Sequence, residues 1–266
     1  MNAPTDVLVL LSGGQDSTTC LAWARDQFPS ARLHALTAFY AQRHESEVVA
    51  AAEIAQLLGC TSHNVIDLSG ALGRSNAALL AKSTDELRGE GGAVDQAMPQ
   101  GLPTSFVPGR NLVFLAVAGA HAAAVGANVI VTGVCQTDYS GYPDCRREFT
   151  DAMTSAINEA LPTAMRPVRI ETPLMDVTKA DTVAMMVGLS EREARQTFVS
   201  AGVPPNAWQL TRVWRALGMS VTCYHGRRPG CGLCPACVLR EKGFDEAGVV
   251  DPGHTMNCDL HTGGCP

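Results

Sequence analysis

Residues 7–17 of the chain read VLVLLSGGQDS, and this stretch decides the fold. Five apolar, mostly branched residues stop at a Ser-Gly-Gly turn, and apolar residues then return with helical spacing from Cys20 to Ala24. The pattern predicts a buried strand that enters a helix through a glycine turn. In a parallel sheet this junction lies at the carboxyl end of the strand, where ligands bind.

The turn has the composition of a phosphate site. Gly13 and Gly14 allow positive φ and a close approach of the backbone, so that several N–H groups at a helix N-terminus point at one anion. Ser12 and Ser17 add hydroxyl donors, and Asp16 can hold a magnesium ion against bound phosphates. The predicted nucleotide contacts are Leu11, Ser12, Gly13, Gly14, Gln15, Asp16, Ser17 and Thr18.

Other phosphate motifs do not match this turn. A Walker loop requires G-x-x-x-x-G-K-[ST] and a dinucleotide fold requires G-x-G-x-x-G, and neither pattern occurs here. Without the Walker lysine, γ-phosphoryl transfer of that kind is not expected. An ordinary strand-to-helix turn is the remaining alternative, because Ser and Gly are common turn residues.

The motif SGGQDS resembles the SGGxDS loop of the ATP-pyrophosphatase (PP-loop) superfamily. This superfamily includes GMP, asparagine and NAD synthetases and tRNA-thiolating enzymes. The resemblance implies an adenine nucleotide alpha hydrolase-like fold. It also implies that a carbonyl oxygen is activated as an adenylate with release of pyrophosphate, before a nitrogen or sulfur nucleophile attacks.

The composition is typical of a globular protein that acts on small molecules. A chain of 266 residues with 46% hydrophobic content can form one large α/β domain, with or without a small appendage. The formal net charge is −6, whereas a protein that holds a long polyanion usually shows a basic face. We therefore expect small-molecule substrates and no nucleic acid, and we leave a homodimer as an open expectation.

No membrane segment or signal peptide is expected. The longest apolar run begins at Asn111 and is broken by His121, so it falls short of the ~18 to 20 residues that a membrane span needs and predicts a buried helix. The first residues, MNAPTD, carry neither a basic region nor an apolar run before the strand. The ten cysteines are then expected to stay reduced in the cytoplasm as ligands or packing residues.

Strands and helices alternate along the first two thirds of the chain. Further strands are predicted at residues 32–40, 64–68 and 127–134 and from 169, with helices between them, which indicates a doubly wound, mostly parallel α/β sheet. In the second helix we expect the buried side to be formed by Val48, Val49, Ala52, Ala55 and Leu58. The stretch from 70 to 103 is rich in Gly and Pro and predicts a loop that could serve as a lid.

Polar residues that follow these strands are candidates for substrate binding. A loop rich in hydrogen-bonding and aromatic groups follows the strand at 127–134 and suits a flat polar heterocycle. The predicted substrate contacts are Gln42, Arg43, His44, Asp138, Tyr139, Tyr142, Asp144 and Arg146. Arg110 precedes a long helix, where its charge opposes the helix dipole unless an anion is near, and Lys179 begins another helix. We predict catalytic roles for Asp16, Arg110 and Lys179; for each of these loop and helix-start residues a solvated surface position is the alternative.

Four cysteines near the C-terminus have the spacing of a metal site. Cys223, Cys231, Cys234 and Cys237 form the pattern C-x7-C-x2-C-x2-C with glycine and proline turns between them, so four thiolates can surround a structural zinc ion. A redox dithiol and an iron–sulfur cluster are the alternatives. The tail offers His254, Cys258, His261 and Cys265 as a weaker second set. We divide the chain into an α/β domain (1–189), a helical segment with the cysteine site (190–250) and a tail (251–266).

Taken together, the motifs resemble the 7-cyano-7-deazaguanine synthase family, the nitrile-forming enzymes of the queuosine precursor pathway. The motifs are SGGQDSTTCL, QRH, FVPGRN, TGVCQTDYSGYPDCR, ETPLMDVTKADT and TCYHG…CGLCPAC. The resemblance implies an ATP-dependent carbon–nitrogen ligase that converts 7-carboxy-7-deazaguanine and ammonia to the nitrile through an adenylate and an amide. Its cofactors would be ATP, Mg²⁺ and structural Zn²⁺.

The chain departs from the family pattern in one motif and in its C-terminal part, where the stretch 190–219 is longer than the pattern and the tail after Gly243 lies outside it. The family motif F-D-Y-G-Q-R-H is replaced by residues 38–44, AFYAQRH, so that Phe39 stands in the acidic position and Ala41 in the glycine position. These changes lie beside the expected substrate or nucleotide contacts. A relative that attaches the activated carbonyl to another amine or sulfur acceptor, on a protein or a tRNA, is therefore the alternative function.

Overall fold

A computed structural model describes residues 3–42, 45–73, 80, 106–136, 142–162, 164, 167–198, 202–228 and 230–254. Five strands form one parallel sheet in the order β3-β2-β1-β4-β5. The strands are β1 (Asp6–Leu10), β2 (Arg32–Phe39), β3 (Ser62–Asp67), β4 (Val129–Val131) and β5 (Arg169–Glu171). The helices are α1 (Gln15–Gln27), α2 (Ser46–Leu57), α3 (Ser69–Leu72), α4 (Arg110–Val125), α5 (Arg147–Ala160), α6 (Lys179–Thr197), α7 (Arg212–Met219) and α8 (Pro235–Ala247).

The sheet is covered by helices on both faces, which confirms the predicted doubly wound architecture. Val7 and Val9 point into one core, which is completed by α1, α2, α6, α7 and α8. Leu8 points into a second core on the other face, which is completed by α4 and α5. Because both faces of β1 are buried, its sequence is a continuous apolar run rather than an alternating one.

The buried side of α2 differs from the predicted one. Ala50, Ala51, Ile54 and Ala55 face the core, whereas Val49 is 53% exposed. The prediction was right for Ala55 and Leu58 but wrong for Val49 and Ala52, which are exposed, because apolar residues occur all around this helix. Alanines allow a close approach of α2 to the sheet, and this close packing selects the face that is buried.

The C-terminal helices pack against the same layer as α1 and α2. Helix α6 begins after a capping box formed by Thr178 and Asp181 and continues through position 189, where the sequence analysis divides the chain. Helix α8 contacts α6, and α7 contacts α1, α2 and α6. Most of the predicted loop at 70–103 and most of the tail lie outside the described residues. Within the described part of the chain, no helix is both long enough and apolar enough to span a membrane.

Candidate active site

The loop between β1 and α1 is braced by its own two serines. The Ser17 hydroxyl accepts a hydrogen bond from the Ser12 amide (3.1 Å) and donates one to the Gly14 carbonyl (3.1 Å). The hydroxyl oxygens of Ser12 and Ser17 lie 3.0 Å apart. Ser12 is exposed while Ser17 is buried, so the bracing leaves one hydroxyl at the surface, next to the start of α1.

Gly13 lies where no side chain fits. Its φ is 89°, and a Cβ atom would lie 2.1 Å from the Glu47 carbonyl oxygen and 2.9 Å from the Ala51 amide nitrogen. The Gly13 carbonyl accepts a hydrogen bond of 2.8 Å from the Val221 amide. The loop is therefore held between the first turn of α2 and the segment that leads to the cysteines, and its close approach to α2 requires a glycine here.

Asp16 and Lys179, two of the three predicted catalytic residues, form an ion pair beside this loop. Lys179 Nζ donates to Asp16 Oδ2 over 2.7 Å, and both side chains are partly accessible. Asp16 Oδ1 is buried and has no hydrogen-bond partner among the residues that the structure describes. A carboxylate oxygen left in this state at the edge of a phosphate loop can hold a divalent cation.

Three other residues that were predicted to contact the nucleotide are buried in the protein. Leu11 lies in the core, and its amide donates to the Leu36 carbonyl at 2.9 Å. Thr18 is buried and its hydroxyl donates to the Gly14 carbonyl at 2.8 Å. Gln15 is also buried, and within the described residues its Nε2 has no acceptor. Among the polar side chains of residues 11–18, those of Ser12 and Asp16 are therefore the accessible ones.

Arg110, the third predicted catalytic residue, lies among groups from several elements. It begins α4 after Gly109, whose φ is 72°. Burial alone would lower the pKa of Arg110, but nearby groups that can carry negative charge, led by Tyr40, raise it overall. Burial raises the pKa of Tyr40, and a hydrogen bond with Arg110 opposes this shift. The Tyr40 ring is held by an edge contact with Phe114, with centroids 5.5 Å apart.

Asp144 is tied to the start of the same helix. It lies in a short 3₁₀ helix (Pro143–Cys145) and is 8% exposed. Its Oδ2 accepts a hydrogen bond from the Asn111 amide at 3.1 Å, while Asn111 Nδ2 donates to the Asp144 carbonyl at 3.1 Å. Asp144 Oδ1 is buried with no partner among the described residues. Such an oxygen is a strong acceptor for a ligand N–H group, because leaving it unsatisfied is costly.

The remaining residues that were predicted to bind the substrate lie in different environments. Gln42 is buried, and its side-chain carbonyl accepts from the Tyr40 amide at 2.8 Å, so it stabilises the turn after β2. The Tyr142 ring lies 5.2 Å from that of Phe106, and Arg146 is exposed just before α5. The predicted contacts Arg43, His44, Asp138 and Tyr139 lie outside the described residues.

Sequence reasoning missed three residues of this region. Glu47 lies in the first turn of α2, beside the loop, and its position after the polar QRH stretch was the available signal. Asn111 was noted only as a neighbour of Arg110, although its amide and side chain anchor the turn at 143–145. The contact of Val221 with Gly13 joins positions that are remote in sequence and leaves no local pattern.

The four predicted cysteines come together as a cluster. The sulfur atoms of Cys223, Cys231, Cys234 and Cys237 lie within 4.8 Å of one another. The Cys231 and Cys237 sulfurs are 3.9 Å apart, and a Cβ atom on Gly230 would lie 2.5 Å from the Cys237 sulfur. A hydrogen bond with Cys237 lowers the pKa of the Cys234 thiol to about 4. Four sulfurs that converge in this way can hold a metal ion, whose binding deprotonates the thiols.

The second, weaker metal set lies mostly outside the described residues, so it stays a prediction. His254 is exposed, and Cys258, His261 and Cys265 lie outside the described part. Cys20 and Cys60 are not in the cluster; burial raises the pKa of both thiols, that of Cys60 to about 12. These two cysteines, one within α1 and one just after α2, therefore behave as packing residues.

Comparison with known proteins identifies close relatives. The family model described as queuosine biosynthesis protein QueC matches residues 6–248. The chain is 44% identical over 257 residues to the 7-cyano-7-deazaguanine synthase of Chromobacterium violaceum, which covers 95% of each chain. It is 40% identical over 245 residues to the 7-cyano-7-deazaguanine synthase of Gloeobacter violaceus, which covers 92% of this chain and 94% of that one.

Among solved structures, the chain is similar to a 4-thiouridine synthetase in complex with RNA and bound ATP. That similarity has a TM-score of 0.43 and 13% identity, and it covers 92% of this chain and 50% of the other. A likeness of this strength carries no argument about function. The fold assignment rests instead on the parallel sheet and its two helical layers.

Proposed function

This chain belongs to the QueC family of 7-cyano-7-deazaguanine synthases, and we propose that it converts 7-carboxy-7-deazaguanine and ammonia to the nitrile with consumption of ATP. The observation that carries the proposal is the SGGQDS loop, which is braced by Ser12 and Ser17 and paired through Asp16 with Lys179. A loop of this kind without a Walker lysine is suited to hold the leaving pyrophosphate rather than to transfer a γ-phosphoryl group.

The chemistry requires two activations. In the first, a carboxylate oxygen attacks the α-phosphorus of ATP, pyrophosphate leaves, and ammonia displaces AMP from the adenylate to give the amide. In the second, the amide oxygen attacks another ATP, and loss of AMP with the remaining N–H protons gives the nitrile. Each activation is needed because oxide and hydroxide are poor leaving groups. No covalent enzyme intermediate is required, so catalysis rests on positioning and charge stabilisation.

The phosphate side of the site is assigned to the loop and its ion pair. The Ser12 hydroxyl and the backbone N–H groups at the start of α1 would hold the β- and γ-phosphates. Asp16 would hold Mg²⁺ through its unpartnered Oδ1, and bound magnesium would neutralise phosphate charge. Lys179 would move from Asp16 towards the phosphates when the nucleotide binds. The partial accessibility of both side chains supports this assignment.

The substrate side is assigned to the groups around Arg110 and Asp144. The buried, unpartnered Oδ1 of Asp144 suits the adjacent ring N–H and amino N–H donors of a guanine-like edge. Arg110 suits the carboxylate of the substrate, because its guanidinium is held among polar groups at a helix start. We retain the other predicted contacts as part of this proposal: Gln42, Arg43, His44, Asp138, Tyr139, Tyr142 and Arg146.

We assign Zn²⁺ to the four-cysteine cluster. Four thiolates complete a tetrahedral shell and leave no open position, so the ion would stabilise the segment at 190–250 without taking part in the reaction. The α/β part up to 189 would carry the chemistry, and 251–266 would be a tail. We further propose a cytoplasmic enzyme that has no nucleic acid partner and that forms a homodimer.

A second candidate function follows from the departures at Phe39 and Ala41. Both lie next to Tyr40, which contacts Arg110, so they can alter the acceptor that meets the activated carbonyl. In this candidate the adenylate forms in the same way, but the nucleophile is an amine or sulfur acceptor on a protein or a tRNA. The two candidates share the first half-reaction and differ in the second.

Exchange of labelled pyrophosphate into ATP tests the proposed function. We expect exchange that depends on 7-carboxy-7-deazaguanine and magnesium and that needs no ammonia, because adenylation is reversible until a nucleophile arrives. Guanine, which lacks the carboxylate, serves as the control substrate and should support no exchange. Absence of exchange with the carboxylate, or ATP cleavage to ADP and phosphate, would refute an adenylating mechanism.

A further inference from the structure

Glu47 belongs to the face of α2 that packs against the phosphate loop. It lies three, four and seven positions before Ala50, Ala51 and Ile54, which are buried, so that it continues their stripe into the first turn. The close approach of Gly13 to the Glu47 carbonyl brings that turn against the loop. Glu47 therefore lies at the carboxyl edge of β1 and β2.

Charges from the two opposite layers of the protein meet at this edge. Glu47 comes from α2 on one face of the sheet and Arg110 from α4 on the other, and the two interact electrostatically, as do Glu47 and Tyr40. All three residues remain partly accessible to solvent. Burial raises the pKa of Glu47 to about 7, although Arg110 opposes the shift. A carboxylate that is closely surrounded yet accessible is typical of a cleft that a ligand enters.

The proposed reaction needs an acceptor for protons at nitrogen. When ammonia attacks the adenylate, the new C–N bond leaves a positively charged nitrogen that must lose a proton as AMP departs. In the second activation, formation of the C≡N bond removes the two remaining N–H protons. A general base within reach of the nitrogen is therefore useful in both halves.

We propose that Glu47 is the general base that accepts protons from the reacting nitrogen, and this inference rests on the proposed function. The carboxylate takes one proton as the C–N bond forms and the C–O bond to AMP breaks. After the second activation it takes the protons that leave as the nitrile forms, and it releases each proton to solvent. Arg110, opposite Glu47, binds the substrate carboxylate and so directs the carbonyl carbon towards this acceptor.

The other carboxylates described at this edge are engaged elsewhere. Asp16 is held on Lys179 through Oδ2, and Asp144 is held on the Asn111 amide. A base that works near neutral pH is most effective when its own pKa is close to that pH, and Glu47 meets this condition. The competing role for Glu47 is a purely structural ion pair with Arg110. In that role, removal of the charge would reduce pyrophosphate exchange and nitrile formation together.

The test separates adenylation from the nitrogen steps in Glu47→Gln. We expect carboxylate-dependent pyrophosphate exchange to stay within about twofold of the unmodified protein, while nitrile formation from ammonium falls roughly 10²- to 10⁴-fold. Hydroxylamine is largely neutral at pH 7 and depends less on a general base to lose a proton. It should therefore still give hydroxamate from the adenylate. Glu45→Gln, an exposed acid just before the same helix, is the matched control and should leave all three readouts unchanged.

Two outcomes would overturn the role of Glu47. Full nitrile formation in Glu47→Gln would show that no base is needed there, and parallel loss of exchange and nitrile in a folded variant would show a structural or binding role. If Glu47→Gln does not fold, Glu47→Asp is used, because it keeps the charge opposite Arg110. A fall in nitrile formation with unchanged exchange would then support the role as base, and a parallel fall in both would contradict it. Absence of exchange in the unmodified protein would instead refute the proposed function, from which this outcome is distinguishable.

Discussion

Lys179 Nζ lies 2.7 Å from Asp16 Oδ2, although 163 positions separate the two residues. The pair joins the start of α6 to the start of α1 and so fixes two elements at the carboxyl edge of the sheet. It also places a cation and an anion next to the phosphate loop. A nucleotide with its metal ion offers each partner a stronger counter-charge, so the pair can open without leaving either charge unsatisfied.

Asp16→Asn should abolish magnesium-dependent ATP binding while the protein stays folded. The amide cannot replace the charged oxygen that would hold the metal ion, and it weakens the contact with Lys179. We expect affinity for ATP with Mg²⁺ to fall at least ~100-fold by calorimetry, in line with the loss of a charged ligand. Asp26→Asn at the other end of α1, where Asp26 pairs with Arg192, is the control and should bind ATP normally.

Gly243→Ala should impair activity from a distance. A Cβ atom at Gly243 in α8 would lie 3.0 Å from the Lys179 Cβ atom and 3.2 Å from its carbonyl carbon, so the start of α6 must shift by a few tenths of an ångström. We expect kcat/KM for ATP to fall roughly tenfold, because small misplacements of charged groups are costly. Metal content should not change.

Gly188→Ala in α6 is the matched control for that substitution. A Cβ atom there meets nothing closer than the Arg192 side chain at 4.0 Å, so the change should stabilise the helix by up to about 1 kcal/mol and spare activity. Equal activity in Gly243→Ala and Gly188→Ala would contradict the link between α8 and Lys179.

Cys234→Ser should lose the metal ion and lower the melting temperature together. The cluster cross-links Cys223 and Cys231 to the start of α8, and three thiolates bind zinc more weakly than four. Metal analysis of the purified protein should give about one zinc per chain before the change and much less after it. Cys60→Ser, outside the cluster, should retain the metal. Iron with a visible absorption band, or unchanged zinc in Cys234→Ser, would contradict the assignment.

Ala41→Gly should stabilise the protein. Ala41 has a φ of 61°, a left-handed conformation that costs a residue with a Cβ atom roughly 1–2 kcal/mol. Glycine raises the entropy of the unfolded chain and so offsets about 0.4–1 kcal/mol of this relief, which leaves a net gain of up to about 1.6 kcal/mol in the free energy of unfolding by urea. Ala38→Gly in β2 is the control and should destabilise by roughly 0.5–1 kcal/mol. Equal losses in the two variants would show that Ala41 is not strained.

The sheet and the loop could be predicted because their signals are local. The apolar run before SGGQDS and the alternation of strands and helices determine a parallel sheet, and the spacing of four cysteines determines a cluster. Ala41 illustrates a limit of this reasoning. The sequence shows that it replaces the glycine of the family pattern, but only the backbone shows that Ala41 adopts a left-handed conformation.

The rest of the site depends on contacts between remote positions. Val221 and Gly13, or Gly243 and Lys179, meet only after the C-terminal helices pack on the sheet, and no sequence period marks such pairs. The orientation of α2 was also ambiguous, because valines and alanines surround it. The correct rotation of this helix is what brings Glu47 to the phosphate loop rather than to the surface.

The measurement that tests the central claim most directly is the product analysis of one complete reaction. Incubation with 7-carboxy-7-deazaguanine, ATP, magnesium and ammonium should give the amide transiently and then the nitrile, with AMP and pyrophosphate as the nucleotide products. The synthetic amide with ATP should also give the nitrile. Accumulation of the amide without dehydration, or a requirement for a macromolecular acceptor, would contradict the nitrile synthase function, and ADP with phosphate as the nucleotide products would contradict adenylation itself.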